Sequence, residues 1–131
     1  MKLNVDKVQE GLRTKRFGKR IVFLREVGST NDLSKELAGF GAVEGTIVAA
    51  EMQTAGRGRL GREWISPRGG LYFSAVLRPE LRASETVKLV FVAGLTVAEV
   101  LREVYNLKAE TKWPNDVLIN GRKVCGILSE M

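Results

Sequence analysis

The longest periodic signal in the chain spans residues 84–105, and it dictates most of what the chain can become. Apolar residues fall at Val87, Val90, Phe91, Gly94, Val97, Ala98, Leu101, Val104 and Tyr105, the spacing of one helix face held for about five turns. Leu89, Val92 and Leu95 widen that face, so the pattern predicts a largely buried helix. Such a helix needs cover, and the rest of the chain offers strands to provide it. The runs 21–24 (IVFL), 46–50 (TIVAA) and 71–77 (LYFSAVL) are short, apolar and rich in β-branched or aromatic residues. Further strands are expected near 108–112, at 117–119 and at 124–128, the last two joined through Asn120-Gly121, a strong short-range hairpin signal. Strands, intervening helices, a hairpin and no internal repeat predict an α/β (α+β) domain, a mixed β-sheet with helices packed on it.

The remaining segments fill in that outline. Ser29 followed three residues later by Asp32 has the spacing of a capping box, and Leu33, Leu37 and Phe40 recur at near-helical intervals. A helix over 30–38 is therefore predicted, stopped by Gly39 and Gly41. Residues 3–12 make a shorter helix starting near Asp6 and weakened by Gly11, followed by RTKRFGKR as an exposed basic connector. Residues 52–70 (MQTAGRGRLGREWISPRGG) have no periodicity and read as a long loop. At 131 residues the chain suits one compact domain, divided into a basic leader, 1–19, and a main domain, 20–131.

Charge and residue usage remove several classes of chemistry. The net charge of +6 suggests a polyanion partner until it is located: residues 1–20 hold seven basic and two acidic residues, and the other 111 hold 14 and 13. Basicity belongs to the leader, and the main body makes no case for nucleic acid. Cys125 is the only cysteine, so no internal disulfide or thiolate cluster forms and a reduced, cytoplasmic setting is expected. The apolar stretch 89–95 falls far short of a membrane span, and the start of the chain lacks the apolar core of a signal peptide. With no histidine, Ser-His-Asp and Cys-His catalysis and His-based zinc sites are excluded, and no metal ligand set is expected. Chemistry must run on Lys, Arg, carboxylates and backbone dipoles.

Four segments could carry that chemistry. Gly56-Arg57-Gly58-Arg59-Leu60-Gly61-Arg62 packs three glycines and three arginines into seven residues ahead of Trp64. Glycine lets backbone N–H groups approach an anion, and arginine adds a permanent two-pronged donor for phosphate or carboxylate. The segment lacks the Lys-Ser/Thr ending of a P-loop, and a solvated arginine loop or a single-stranded nucleic acid contact remain alternatives. Lys112-Trp113-Pro114-Asn115-Asp116 sets a lysine at a strand end, either as a cleft amine or as an edge lysine that discourages aggregation. Ser29, Thr30 and Asn31 stand where a strand becomes a helix, placed for capping or for ligand binding. Gln53 follows the second strand and is either a surface residue or an amide offered to a small polar ligand, while Trp64 and Trp113 are core or hinge packing, or a pocket lining.

Taken together, STND at 29–32, EGT at 44–46, AEMQTAGRGRLGREWISPRGGLYFS at 50–74 and KWPNDVLINGRKVCGIL at 112–128 resemble the biotin protein ligases, also called biotin-[acetyl-CoA-carboxylase] ligases. The resemblance covers about residues 20–131. It implies a class II aminoacyl-tRNA synthetase/biotin synthetase-like fold and a two-step reaction. Biotin and ATP would give biotinyl-5′-AMP, and the biotinyl group would pass to a lysine of a biotin carboxyl carrier protein or domain. It further implies that Ser29, Thr30, Asn31 and Gln53 line the biotin site. Arg57, Gly58 and Arg59 would fold over biotin and its adenylate, Arg59, Arg62 and Trp64 would serve the nucleotide, and Lys112 would lie between the biotin carboxylate and the phosphate. Lys112 and Arg57 become the catalytic candidates, with Mg2+ accompanying ATP, a homodimer as the assembly, and neither nucleic acid nor membrane as partner. A loop that closes over a reactive adenylate is expected to be disordered when empty. The sequence departs from the family in having no winged-helix domain before residue 20. After Met131 it has neither the family's next Gly-rich, Asn-containing strand nor its small C-terminal domain, so the catalytic domain is expected to be incomplete. A biotin-binding or dimerising module without turnover, and a lipoate-protein ligase-like enzyme, are the alternatives.

Overall fold

The structure is a computed structural model that describes residues 2–131. The chain divides into two compact units, Met1–Pro79 and Glu80–Met131.

The first unit is built on a three-stranded sheet of order β1-β2-β3, comprising β1 (Ile21–Val27), β2 (Ile47–Gln53) and β3 (Tyr72–Ala75). β1 and β2 run parallel, with Ile21 beside Ile47 and Val27 beside Gln53, and β3 returns antiparallel to β2, so this sheet is mixed as predicted. Both parallel strands outrun their apolar runs. Ladder pairing of Glu26 with Met52 and of Val27 with Gln53 carries the backbone past the continuous apolar runs 21–24 and 46–50. Helix α2 (Thr30–Gly39) packs on β2 and β3, and Val48, Ala49, Ala50 and Val76 form the buried centre. Ser29 caps α2 by accepting from the Asp32 N–H. The helix ends where Gly41 takes φ +91, a left-handed value that an L side chain resists.

The leader folds onto this unit. Helix α1 (Val5–Gly11) begins one residue ahead of Asp6 because Asn4, whose Oδ1 accepts from the Lys7 N–H, is the better cap. The basic connector is exposed as expected, yet its backbone is fixed. Gly18 N–H donates to Gly45 O at 2.9 Å, and Gln9 Nε2 donates to the carbonyls of Gly18 and Lys19. Glu44 accepts from Arg16 and from the Arg78 N–H, which hold its carboxyl below the usual range. Gly45 lies so close beneath this crossing, at φ +88, that a Cβ there would come within 2.5 Å of the Arg16 carbonyl oxygen.

The second unit pairs helix α3 (Val87–Tyr105) with an antiparallel sheet of order β4-β5-β6. The strands are β4 (Ala109–Lys112), β5 (Asp116–Ile119) and β6 (Arg122–Gly126). Asn120 and Gly121 both take positive φ, 51 and 75, as the tight turn between β5 and β6 requires. Ala98, Ala109 and Val117 form a buried cluster against Val97, Leu101, Ile119 and Cys125. The expectation of a largely buried helix is corrected: among its residues only Gly94 and Ala98 are buried, while Phe91, Val92, Leu95, Val100 and Val104 are between 38% and 67% exposed. Apolar residues surround α3, and a three-stranded sheet covers a single stripe of such a helix.

Candidate active site

In the first unit, the C-terminal ends of the parallel strands deliver the site. β1 leads through Gly28 into Ser29-Thr30-Asn31, and β2 ends on Gln53, which lies beside Val27. Thr30 donates its N–H to Gln53 Oε1 at 2.8 Å and its hydroxyl to the same oxygen at 3.2 Å. The Thr30 hydroxyl also lies 2.8 Å from Ser74 Oγ, and Ser74 in turn donates to Asn31 Oδ1. Gln53 Nε2 donates to Ser66 Oγ at 3.0 Å, and Ser66 donates to the Trp64 carbonyl. Ser29, Thr30 and Ser66 are buried. Buried polar groups must be paired, so this chain of amide and hydroxyl groups fixes each member's orientation. Gln53 is thereby a tied residue rather than a free surface amide, and the Ser29 hydroxyl is committed to capping.

The arginine-glycine segment, which no periodicity marks, folds back on itself. Gly58 N–H donates to Arg62 O at 2.7 Å, Trp64 N–H donates to Gly56 O at 2.9 Å, and Arg57 pairs with Glu63, which together make a narrow hairpin. Its tip, Arg59–Gly61, is a 3-10 turn in which Leu60 and Gly61 take φ 59 and 72. Gly56 is required by crowding, since a Cβ there would come within 2.5 Å of the Trp64 carbonyl and 2.9 Å of Gln53 Nε2. The three arginines separate. Arg59 and Arg62 are exposed at the tip, whereas Arg57 donates from both terminal nitrogens to Asp32, at 2.9 and 2.6 Å. The guanidinium holds the Asp32 carboxyl below its usual range, with Lys35 adding a smaller effect of the same sign.

The second unit holds the lysines. Lys112 ends β4 with its side chain exposed, directly opposite Asp116 on β5. Trp113 is 76% exposed and stacks on Phe91, and its bond to Pro114 is cis. Asn115 is used structurally, exchanging hydrogen bonds with the backbone of Ile127. A second amine joins Lys112: Lys123 Nζ lies 2.8 Å from Asp116 Oδ1, whose side chain is only 18% exposed. A β-bulge explains how Lys123 gets there. Val117 pairs with Cys125 but Leu118 pairs with Lys123, so Val124 is an extra residue. In an unbroken ladder Lys123 and Cys125 would share a face; the bulge leaves Cys125 against the α3 core and turns Lys123 to the face of Asp116 and Lys112. Burial, then the Asp116 charge, push the Cys125 thiol up, which suits packing rather than attack.

Asp32, Ser66, Ser74, Asp116 and Lys123 are thus site candidates beyond those read from the sequence. Ser74 had a visible signal, as a polar residue inside the apolar run LYFSAVL. Lys123 had none, because strand alternation places it on the wrong face unless the bulge is known.

Comparison with known proteins places this geometry in a family. The Biotin/lipoate A/B protein ligase family matches residues 23–131. The bifunctional ligase/repressor BirA of Bacillus subtilis is 40% identical over 131 residues, which are 99% of this chain and 40% of that protein. The biotin--[acetyl-CoA-carboxylase] ligase of Paracoccus denitrificans is 44% identical over 109 residues, 82% of this chain and 45% of that protein. The biotin protein ligase from Aquifex aeolicus solved in complex with biotin and ATP aligns with a TM-score of 0.75 at 42% identity, covering 86% of this chain and 47% of that one. The chain therefore spans less than half the length of each of these relatives. The shared fold is the class II synthetase-like one that the motifs implied. With the match extending over most of its residues, the chain belongs to the biotin/lipoate A/B protein ligase family.

Proposed function

We propose that this chain carries the ATP-dependent activation of biotin to biotinyl-5′-AMP and the transfer of biotin to a lysine of a carboxyl carrier protein or domain. The observation that carries this reading is the part-buried Thr30–Gln53–Ser74 network at the strand ends, next to the Arg57 hairpin, in a chain 42% identical to a protein solved with biotin and ATP. In the first step a biotin carboxylate oxygen attacks the α-phosphorus and pyrophosphate leaves. In the second, the carrier amine attacks the acyl carbon and AMP leaves. The first step brings two anions together and the second expels an anion as the neutral amine loses its proton, so fixed cations and N–H donors supply the catalysis without a covalent nucleophile.

Ser29, Thr30, Asn31 and Gln53 are assigned to the biotin head group, with Ser74 orienting Thr30 and Asn31. Arg57, Gly58 and Arg59 cover biotin and adenylate, Arg59, Arg62 and Trp64 serve the nucleotide, and Lys112 acts on the carboxylate and phosphate. One observation favours a second reading for that amine. Both lysines are exposed, but Lys123 is oriented by a largely buried carboxylate 2.8 Å away, and an oriented cation stabilises developing charge with less reorganisation. Magnesium accompanies ATP in this reading, because the charge of the triphosphate has to be neutralised. No helix among the described residues is long and apolar enough to cross a membrane, and the lone Cys125 suits a reduced cytoplasm. The exposed apolar side of α3 supports a homodimer.

The test is pyrophosphate release with ATP and magnesium. Release that depends on added biotin is expected; biotin binding without release would instead favour a non-catalytic module, and lipoate-dependent release a lipoate ligase.

A further inference from the structure

We propose that Asp32 is a positioning residue for Arg57: its carboxylate fills the guanidinium fork and is the internal anion that an incoming phosphate or carboxylate displaces. The identity of that incoming anion rests on the ligase reading, while the contact itself rests on the first unit alone. Arg57 reaches both oxygens of Asp32, at 2.9 and 2.6 Å. This two-pronged arrangement is how arginine grips a phosphate or carboxylate ligand, so the same donors cannot serve both at once. Asp32 lies in the first turn of α2, where the helix N-terminus favours negative charge, and it follows Asn31, a member of the hydroxyl and amide network. The pair therefore ties the hairpin to the end of α2 that bears the network.

Exchange of partners is built into the surroundings. The side chains of Arg57 and Asp32 are 33% and 54% exposed, and pairs this open are weak enough to trade. Lys35, one turn along, lies 3.9 Å from the same carboxylate and remains beside Asp32 as a cation once Arg57 moves.

Three proteins decide the matter: wild type, Asp32→Asn and Asp32→Glu, each titrated with ATP and with biotinamide, an uncharged biotin derivative. Amide exchange over residues 56–64 is followed in parallel without ligand. Removing the carboxylate tightens ATP binding by up to about fivefold, given the modest strength of exposed pairs. It leaves biotinamide affinity unchanged and speeds exchange at the Gly58 and Trp64 amides, and the Glu variant returns both readings toward wild type. An Asn variant that binds ATP no better than wild type, that loses both ligands together, or that exchanges no faster in the hairpin overturns the proposal. If no protein binds ATP or biotinamide, the ligase reading fails separately. Inorganic pyrophosphate, which needs only the fork, then replaces ATP and the same outcomes decide.

Discussion

Two lysines approach Asp116 on one sheet face, and their chemistry differs although their charge does not. Lys123 is held at 2.8 Å from the carboxylate, while Lys112 lies opposite it across the ladder. If Lys112 is the amine that stabilises the developing charge, Lys112→Ala should slow biotin-dependent pyrophosphate release about a hundredfold or more while biotin retention, measured by calorimetry, changes little. Lys123→Ala is the comparison. A larger loss there than at Lys112 transfers the role, and equal loss of binding and turnover in Lys112→Ala removes it from catalysis. At this scale the sequence was legible where a residue's neighbours are local. Ser29 and Asp32 were readable as a helix start, because capping joins residues three apart. The contacts of Gln53 with Thr30, of Ser74 with Asn31 and of Arg57 with Asp32 join residues 23, 43 and 25 apart, and no local pattern announces them.

Elements were easier to find than to bound. All six strands and three helices lie near where periodicity put them, but β1 and β2 extend through Glu26 and Gln53 because ladder bonding, not hydrophobicity, sets a strand's end. The leader shows the same limit. Its charge was visible, and its attachment through Gly45 was not. Gly45→Ala should cost about 1–3 kcal/mol, as φ +88 and the Arg16 carbonyl both oppose a side chain, and should speed tryptic cleavage at Lys15, Arg16 and Lys19. Gly41→Ala is the control. It shares a positive φ, +91, but a Cβ there meets nothing within 4 Å, so it should carry the backbone cost without releasing the leader. Equal cleavage in the two variants would mean that Gly45 does not anchor the connector.

For the molecule as a whole, fold class and family were within reach of the sequence because hydrophobic period and motif wording are both linear. The exposure of α3 was not, since period reports which residues are apolar and not how much partner surface exists to cover them. Val92 and Leu95, 61% and 49% exposed, lie on the uncovered side. Sedimentation should show a dimer that Val92→Lys combined with Leu95→Lys dissociates. A dimer untouched by the pair would move the interface elsewhere, and a monomeric wild type would remove the homodimer. The bulge at Val124 reaches beyond this chain. Losing that one residue would regularise the ladder and leave Lys123 beside Cys125 in sequence, still facing Asp116, whereas flattening the bulge with Val124 kept would swing Lys123 to the helix side of its sheet. A family member with a one-residue gap here could thus lack the kink and still keep its amine beside the acid, so the gap alone would not count as loss of the site.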